Sequence, residues 1–328
     1  AVEAAAPDLG TEHTTSRDCG GGLGDDLLDK VQTLDHFVTV SHGVRVHLRE
    51  SFTLRSVLRF PHRAILMQSG AIANGASFNA DAFNVDGETG YDARDMFARR
   101  GFFAMSVDPE GVGESTAPTS GFDVTYARDL ADMTAVVQYV RLTRGVSRVD
   151  LLGESDGGGV FSELCARDDL TRSCTMSTML YQSGTDFFNE TFGSPGFQQF
   201  ILSLPNGYFD TVADNYDILL AGSDPAVSAW YQSTQPGAYA MGTTVANFSL
   251  PSYDPTRARV PGLVIRGEDD QNFPLSDTQA LAAAYGSAGG VSGGAELVVI
   301  PGALQIPRLE PSPHHDEYWD AVVAFVDP

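Results

Sequence analysis

Lysine is almost missing from this chain. Lys30 stands alone against 19 arginines, and 43 acidic residues face 20 basic ones, for a net charge of −23. A surface this poor in cations cannot neutralise a phosphate backbone, so nucleic acids are excluded as partners. The acidity itself reads as solubility or tolerance of salt. No run of 18 or more apolar residues occurs, which leaves no helix long and apolar enough to cross a bilayer. Internal repeats and long low-complexity stretches are absent too. Cysteine is scarce, at three in 328 residues. Cys165 and Cys174 bracket the charged loop ARDDLTRS, and Cys19 is left over. A disulfide between the first two is expected if the protein is exported, and two buried thiols if it is not. The opening stretch from Ala1 is polar and rich in Gly, which reads as a secreted protein without its signal peptide or as a trimmed chain.

What is present suits a globular protein. The hydrophobic share is 42% and the aromatic share 10%, enough for a sizeable core. The length fits one large α/β domain carrying an insertion. Residues 1–30 read as a tail. DHFVTVSHGVRVHLRESF reads as a hairpin turning at His42-Gly43. RAILMQSGA and GFFAMSVDPEGVGES read as buried strands breaking into Gly turns, and YDARDMFARRG as a helix stopped by Gly101. TYARDLADMTAVVQYVRLTRG is a long amphipathic helix with Leu130, Met133, Val137 and Val140 on one face. Strand VDLLG and helix SDGGGVFSELCARDD follow. Strands alternating with helices predict a mostly parallel central sheet covered by helices on both faces. Residues 181–258 break the rhythm with 14 aromatics in 78 residues, and alternation resumes at VPGLVIRGEDD. The expected organisation is a core of 31–180 and 259–328, with 181–258 a cap inserted after the sixth strand, over the strand ends where ligands bind.

The chemistry centres on Gly153-Glu154-Ser155-Asp156-Gly157, a G-x-S-x-G run. It follows a buried strand and opens a helix, the setting of a nucleophile elbow that pushes a serine Oγ above the sheet. The N–H of Asp156 and that of Gly70 or Ala71, in the turn after RAILM, are expected to meet a developing oxyanion. Read blandly, the same residues are an ordinary strand–helix turn and a simple loop.

Three further segments carry a resemblance. GFFAMSVDPEGVGES resembles the D-x-x-G-x-G-x-S turn of the α/β-hydrolases, and TYARDLADMTAVVQYV resembles the helix before their elbow strand. VPGLVIRGEDDQNFP is similar to their strand-then-acid segment. The resemblance covers about 35–180 and 258–328, and it implies an α/β-hydrolase fold and a serine triad in the order Ser, acid, His. The G-x-x-D spacing from Gly267 makes Asp270 the implied acid, with Asp269 and Asp186 as alternatives.

The family's next segment, P-G-x-G-H-x-P-x-L-E, meets Pro301-Gly302-Ala303-Leu304-Gln305-Ile306-Pro307-Arg308-Leu309-Glu310. Gln305 stands where the resemblance implies the catalytic histidine. Of the seven histidines, only His314 and His315 follow Asp270. Three explanations compete. Gln305 replaces the histidine by design, to hold substrate in a silent site; or the loss is natural; or His314 or His315 swings in. A metal site of His314, His315 and Asp316 finds no partner cluster, and neither metal nor cofactor is expected.

The expected substrate is a small apolar ester or lactone, cleaved through an acyl-enzyme. Phe187, Phe188, Phe192, Phe197, Phe200, Tyr208, Phe209, Trp230 and Tyr231 are candidates for a pocket wall or for the cap's own core. No Lys or Arg occurs across 181–256, which disfavours phosphates. Two other classes stay open: an aminopeptidase, with Glu190, Asp210 or Asp224 gripping a free amine, and a non-catalytic ligand-binding protein on a hydrolase scaffold.

Overall fold

The computed structural model describes residues 25–328 apart from 41, 80–90, 212–219 and 221. Most of the expected tail, with His13 and Cys19, lies outside the described residues. After a short helix α1 (Asp25–Asp29), β1 (Gln32–Thr39) and β2 (Arg45–Phe52) pair antiparallel around the His42-Gly43 turn. Then come α2 (Leu54–Leu58), β3 (Ala64–Gln68), α3 (Ala93–Arg99), β4 (Phe103–Asp108), α4 (Tyr126–Arg144), β5 (Val149–Glu154), α5 (Asp156–Leu164) and β6 (Thr171–Ser177). The segment that follows holds α6 (Asp186–Glu190), α7 (Pro195–Leu202), β7 (Tyr208–Phe209), α8 (Pro225–Ser233), β8 (Tyr239–Ala240) and α9 (Gly242–Ala246). The chain ends with β9 (Gly262–Gly267), α10 (Leu275–Ala284), β10 (Glu296–Ile300) and α11 (His314–Val326).

Eight strands form one sheet in the order β1-β2-β4-β3-β5-β6-β9-β10. Only the pairings of β2 with β1 and β4 are antiparallel. The reason is visible in the burial. Every residue of β3, β4 and β5 is buried, as expected of continuous apolar strands covered on both faces. One core joins Val137 and Val140 of α4, Phe161 of α5 and Leu281 of α10 to one face of the sheet. The other joins Phe97 of α3 and Tyr318, Trp319 and Val322 of α11 to the opposite face. Helix α4 starts where the Thr125 hydroxyl caps the Arg128 N–H and stops at the left-handed Gly145. Cys165 and Cys174 are disulfide-bonded, tying the end of α5 to β6.

The sixth and next core strands, β6 and β9, are separated by the aromatic segment. Its helices α6, α7 and α8 are each capped by a side chain (Thr185, Ser194, Asp224), and Pro195 and Pro225 take the first helical position. Strands β7 and β8 pair with each other and not with the main sheet. Among the described residues no helix is long and apolar enough to cross a membrane.

The parallel strands bring their C-terminal turns to one edge. Strand β2 runs the other way, and His47 pairs with Asp108, so the His42 turn reaches the same edge.

Candidate active site

Ser155 follows β5 directly and sits at φ 51°, ψ −120°. A non-glycine residue in such a region costs on the order of 1–3 kcal/mol and persists only where its surroundings hold it. They do: its N–H donates to the Ser177 carbonyl at 2.9 Å, and its own carbonyl accepts from Gly159 at 3.1 Å as α5 begins. Gly157 lets α5 approach β3 closely, since a Cβ there would lie 2.6 Å from the Gln68 carbonyl oxygen. Gly70 is packed against Ser155 itself. A Cβ at this position would lie 2.6 Å from the Ser155 Cβ and 3.3 Å from its Oγ.

The three positions around this corner share strain. Ile72, Ser155 and Thr178 all adopt positive φ, at 62°, 51° and 52°, and all three line one cavity. A β-branched residue adopts that conformation only under compulsion. The cavity holds about 430 Å³ and is walled by Gly70, Ala71, Ser155, Asp156, Gln305 and a group of apolar cap residues. Of the nine aromatic candidates, Phe187, Phe192, Phe197, Phe200, Phe209 and Tyr231 face it. Phe188, Tyr208 and Trp230 do not. Phe188 packs over Gly193, the Tyr208 hydroxyl donates to the Pro118 carbonyl, and Trp230 joins a cluster with Tyr231 and Leu220.

The acid side is built differently. Asp270 lies in the turn after β9 and is buried. Its Oδ1 accepts the backbone N–H groups of Asn272 (2.9 Å) and Phe273 (3.1 Å), while its Oδ2 is buried with no hydrogen-bond partner. Burial raises its carboxyl above the ordinary range, against the two backbone hydrogen bonds and the charge of Arg266. The Asn272 amide donates to the Gln305 Oε1, and the Gln305 carbonyl accepts from the Thr178 hydroxyl at 2.8 Å. Asp270 and Gln305 are thus joined through Asn272.

The alternatives fall elsewhere. Asp269 is exposed, its N–H bonded to the Ala303 carbonyl, and Asp186 is exposed at the start of α6. His314 pairs its Nδ1 with Glu310 at 2.8 Å. His315 is buried with its Nδ1 2.7 Å from the Arg308 carbonyl and its ring 4.5 Å from that of Tyr91. Neither lines the cavity, so the structure does not bring the two replacement bases to Ser155.

No family model matches the chain. Over 205 residues it is 26% identical to a non-heme chloroperoxidase of Burkholderia pyrrocinia, covering 56% of this chain and 69% of that protein. Among solved structures, E-2-(acetamidomethylene)succinate hydrolase matches with a TM-score of 0.59 at 17% identity, over 90% of this chain and 100% of that one. An esterase of Exiguobacterium antarcticum matches with a TM-score of 0.60 at 16% identity, over 89% and 99%. The chain has the α/β-hydrolase fold.

On this α/β-hydrolase framework three features went unread in the sequence. Glu154, immediately before Ser155, forms a buried bidentate pair with Arg308 (2.7 and 3.2 Å), three residues beyond Gln305. Arg308 also donates to the Ser77 carbonyl at 2.8 Å and lies over the Phe78 ring. The available signal was a second charged residue, at the end of the buried strand β5 that already carries Asp150. Asp156 accepts from Asn247 (2.8 Å) and Thr243 (3.4 Å), so the residue after Ser155 also grips α9 and its C-terminal cap. Burial raises the Asp156 carboxyl, and those two bonds oppose the rise. Asn272, which ties the acid turn to Gln305, had no sequence signal.

Proposed function

We propose that the chain is built as a serine hydrolase of apolar carboxylic esters or lactones, with Gln305 in the place of its base. The observation that carries this is Ser155, held at positive φ with Gly70 against it in the wall of a largely apolar cavity. In the proposed reaction the Ser155 Oγ attacks the ester carbonyl as a base takes its proton. The N–H groups of Asp156 and of Gly70 or Ala71 hold the oxyanion, and the proton passes to the leaving alkoxide. Water then cleaves the acyl-enzyme. Gln305 is buried in the cavity wall, and a neutral amide accepts no proton at neutral pH. The unpartnered Oδ2 of Asp270 is where a histidine at 305 would place its Nδ1–H.

Gln305→His is therefore expected to raise turnover of p-nitrophenyl esters and lactones by roughly 10⁴-fold or more, the scale on which removing a triad base lowers it. Ser155→Ala in that background should abolish the gain. No hydrolysis by Gln305→His overturns the base assignment, and activity surviving Ser155→Ala overturns the nucleophile. The reading as a binding protein is favoured by the Asn272–Gln305 bond, which occupies the amide oxygen. Tight ligand binding without turnover in Gln305→His would support it. The aminopeptidase reading finds no such observation, because Glu190, Asp210 and Asp224 do not line the cavity. The Cys165–Cys174 disulfide supports a secreted location.

A further inference from the structure

Outside the cavity, three segments meet at the same edge of the sheet: the β1–β2 turn, the turn after β4, and the start of α4. They bring together His42, Glu110 and Asp132, whose ligating atoms all lie within 4.8 Å of one another. His42 Nε2 is 3.3 Å from Glu110 Oε2 and 3.6 Å from Asp132 Oδ1. Two ligands of one tetrahedral zinc, with metal bonds of about 2.0–2.2 Å, stand about 3.4 Å apart. Both spacings match that separation.

Acidic clusters are common on surfaces, but this one is not on the surface. Glu110 and Asp132 are both fully buried, whereas the His42 side chain is 29% exposed. The internal cation is Arg128. Its guanidinium takes both oxygens of Glu110, and its Nε lies 2.9 Å from His42 Nε2. Arg128 thus compensates Glu110. It makes no hydrogen bond to Asp132, and both Asp132 oxygens are buried without one. A fully buried carboxylate with neither oxygen hydrogen-bonded is costly unless something satisfies it. Asp129, one turn away on α4, is buried and adds negative field.

We propose that His42, Glu110 and Asp132 form a binding site for a divalent first-row transition cation, separate from the Ser155 cavity. One imidazole and two carboxylates suit zinc or manganese better than a soft or an all-oxygen metal. Arg128 keeps its bond to Glu110 Oε1 and yields to the metal the contacts its Nε–H makes with Glu110 Oε2 and His42 Nε2, and Asp132 gains the direct bond its oxygens lack. His42 closes the site from the solvent side, which leaves a fourth position for water. The ion would staple the hairpin to α4 and fix the Glu110 turn. The site does not depend on the hydrolase reading.

The test uses Zn²⁺ with the full chain, by calorimetric titration and thermal melting at pH 7.5. One tight equivalent and a raised Tm are expected for the unmodified protein. Asp132→Asn keeps the shape of the side chain, and His42→Ala alters a partly exposed one. Each should weaken the tight equivalent at least 10-fold and remove the Tm rise, while His314→Ala leaves both unchanged. Mn²⁺ should compete with Zn²⁺ for the same equivalent. Absence of a tight equivalent, or one that survives both Asp132→Asn and His42→Ala, overturns the site.

Discussion

The two halves of the candidate site are finished to different degrees. On the Ser155 side the backbone and the flanking carboxylate are held. The Ser155 N–H and carbonyl are both bonded, the Asp156 carboxylate is clamped by Asn247 and Thr243, and Gly70 fills the space beside the Oγ. Strain at Ile72, Ser155 and Thr178 is stored there. On the acid side one oxygen of Asp270 is unmatched, and the side chain facing the cavity is an amide. On the proposed reading, the groups that shape and bind are in place and the group that would move a proton is absent. Binding geometry and proton transfer would then be separable in this fold, because they rest on different strand-end turns.

The strongest way to break this comparison is to cut the link between the halves. The Glu154–Arg308 pair joins the residue before Ser155 to the loop carrying Gln305, with both side chains almost wholly buried. Removing one partner strands the other charge, at a cost of about 3–5 kcal/mol. Arg308→Met should lower stability by that amount in urea titrations, and Glu154→Gln by a comparable amount. Replacing both charges together should cost less than the sum of the two single changes. Independent, additive losses would show that the pair is not a unit.

A smaller effect tests the crowding beside the nucleophile. Gly70→Ala forces a Cβ into the Ser155 side chain, which overpacking would price at about 1–3 kcal/mol. In the Gln305→His background its esterase rate should fall at least 10-fold with the fold retained by circular dichroism. An unchanged rate would mean that the 69–72 loop is not part of the oxyanion site.

Much of this was legible in the sequence, for identifiable reasons. Mostly apolar strands such as AILMQ and VDLLG, interrupted only by Gln68 and Asp150, are satisfied inside a covered parallel sheet, and the G-x-S-x-G run marks the turn that follows the second. Gln305 was legible because the segments on either side keep their spacing. The aromatic segment 181–258 was legible as an interruption but not as a wall. Which aromatics face the cavity depends on helix rotation, so Phe187 and Phe188, adjacent in sequence, part company. Asp129 and Asp132 were invisible as buried groups. They fall on the face of α4 that also carries Met133 and Val136, and an amphipathic pattern assigns charged residues to solvent. Pairs such as Glu154–Arg308 are 154 residues apart and have no local signature.

The smallest expected effect addresses the unfinished half directly. Asp270 has a folded-state pKa raised above 3.8 because burial disfavours its charged form. Such a group favours the folded state below its unfolded pKa, and that contribution is lost as the pH rises through the folded value. As the pH rises through that value the folded protein comes to carry a buried carboxylate with one unmatched oxygen. Asp270→Asn removes the charge, keeps an oxygen for the Asn272 and Phe273 N–H groups, and does not titrate. In the chain with Gln305 it should stabilise the fold at pH 8 by about 1 kcal/mol, the scale of one unsatisfied polar group. The gain should shrink as the pH falls toward 4. In Gln305→His the same change should instead abolish esterase activity and bring no gain in stability, since the histidine would then satisfy Oδ2. Denaturant midpoints of both backgrounds at pH 4, 6 and 8 decide it: a gain of the same size in both would mean that position 305 has no bearing on the acid.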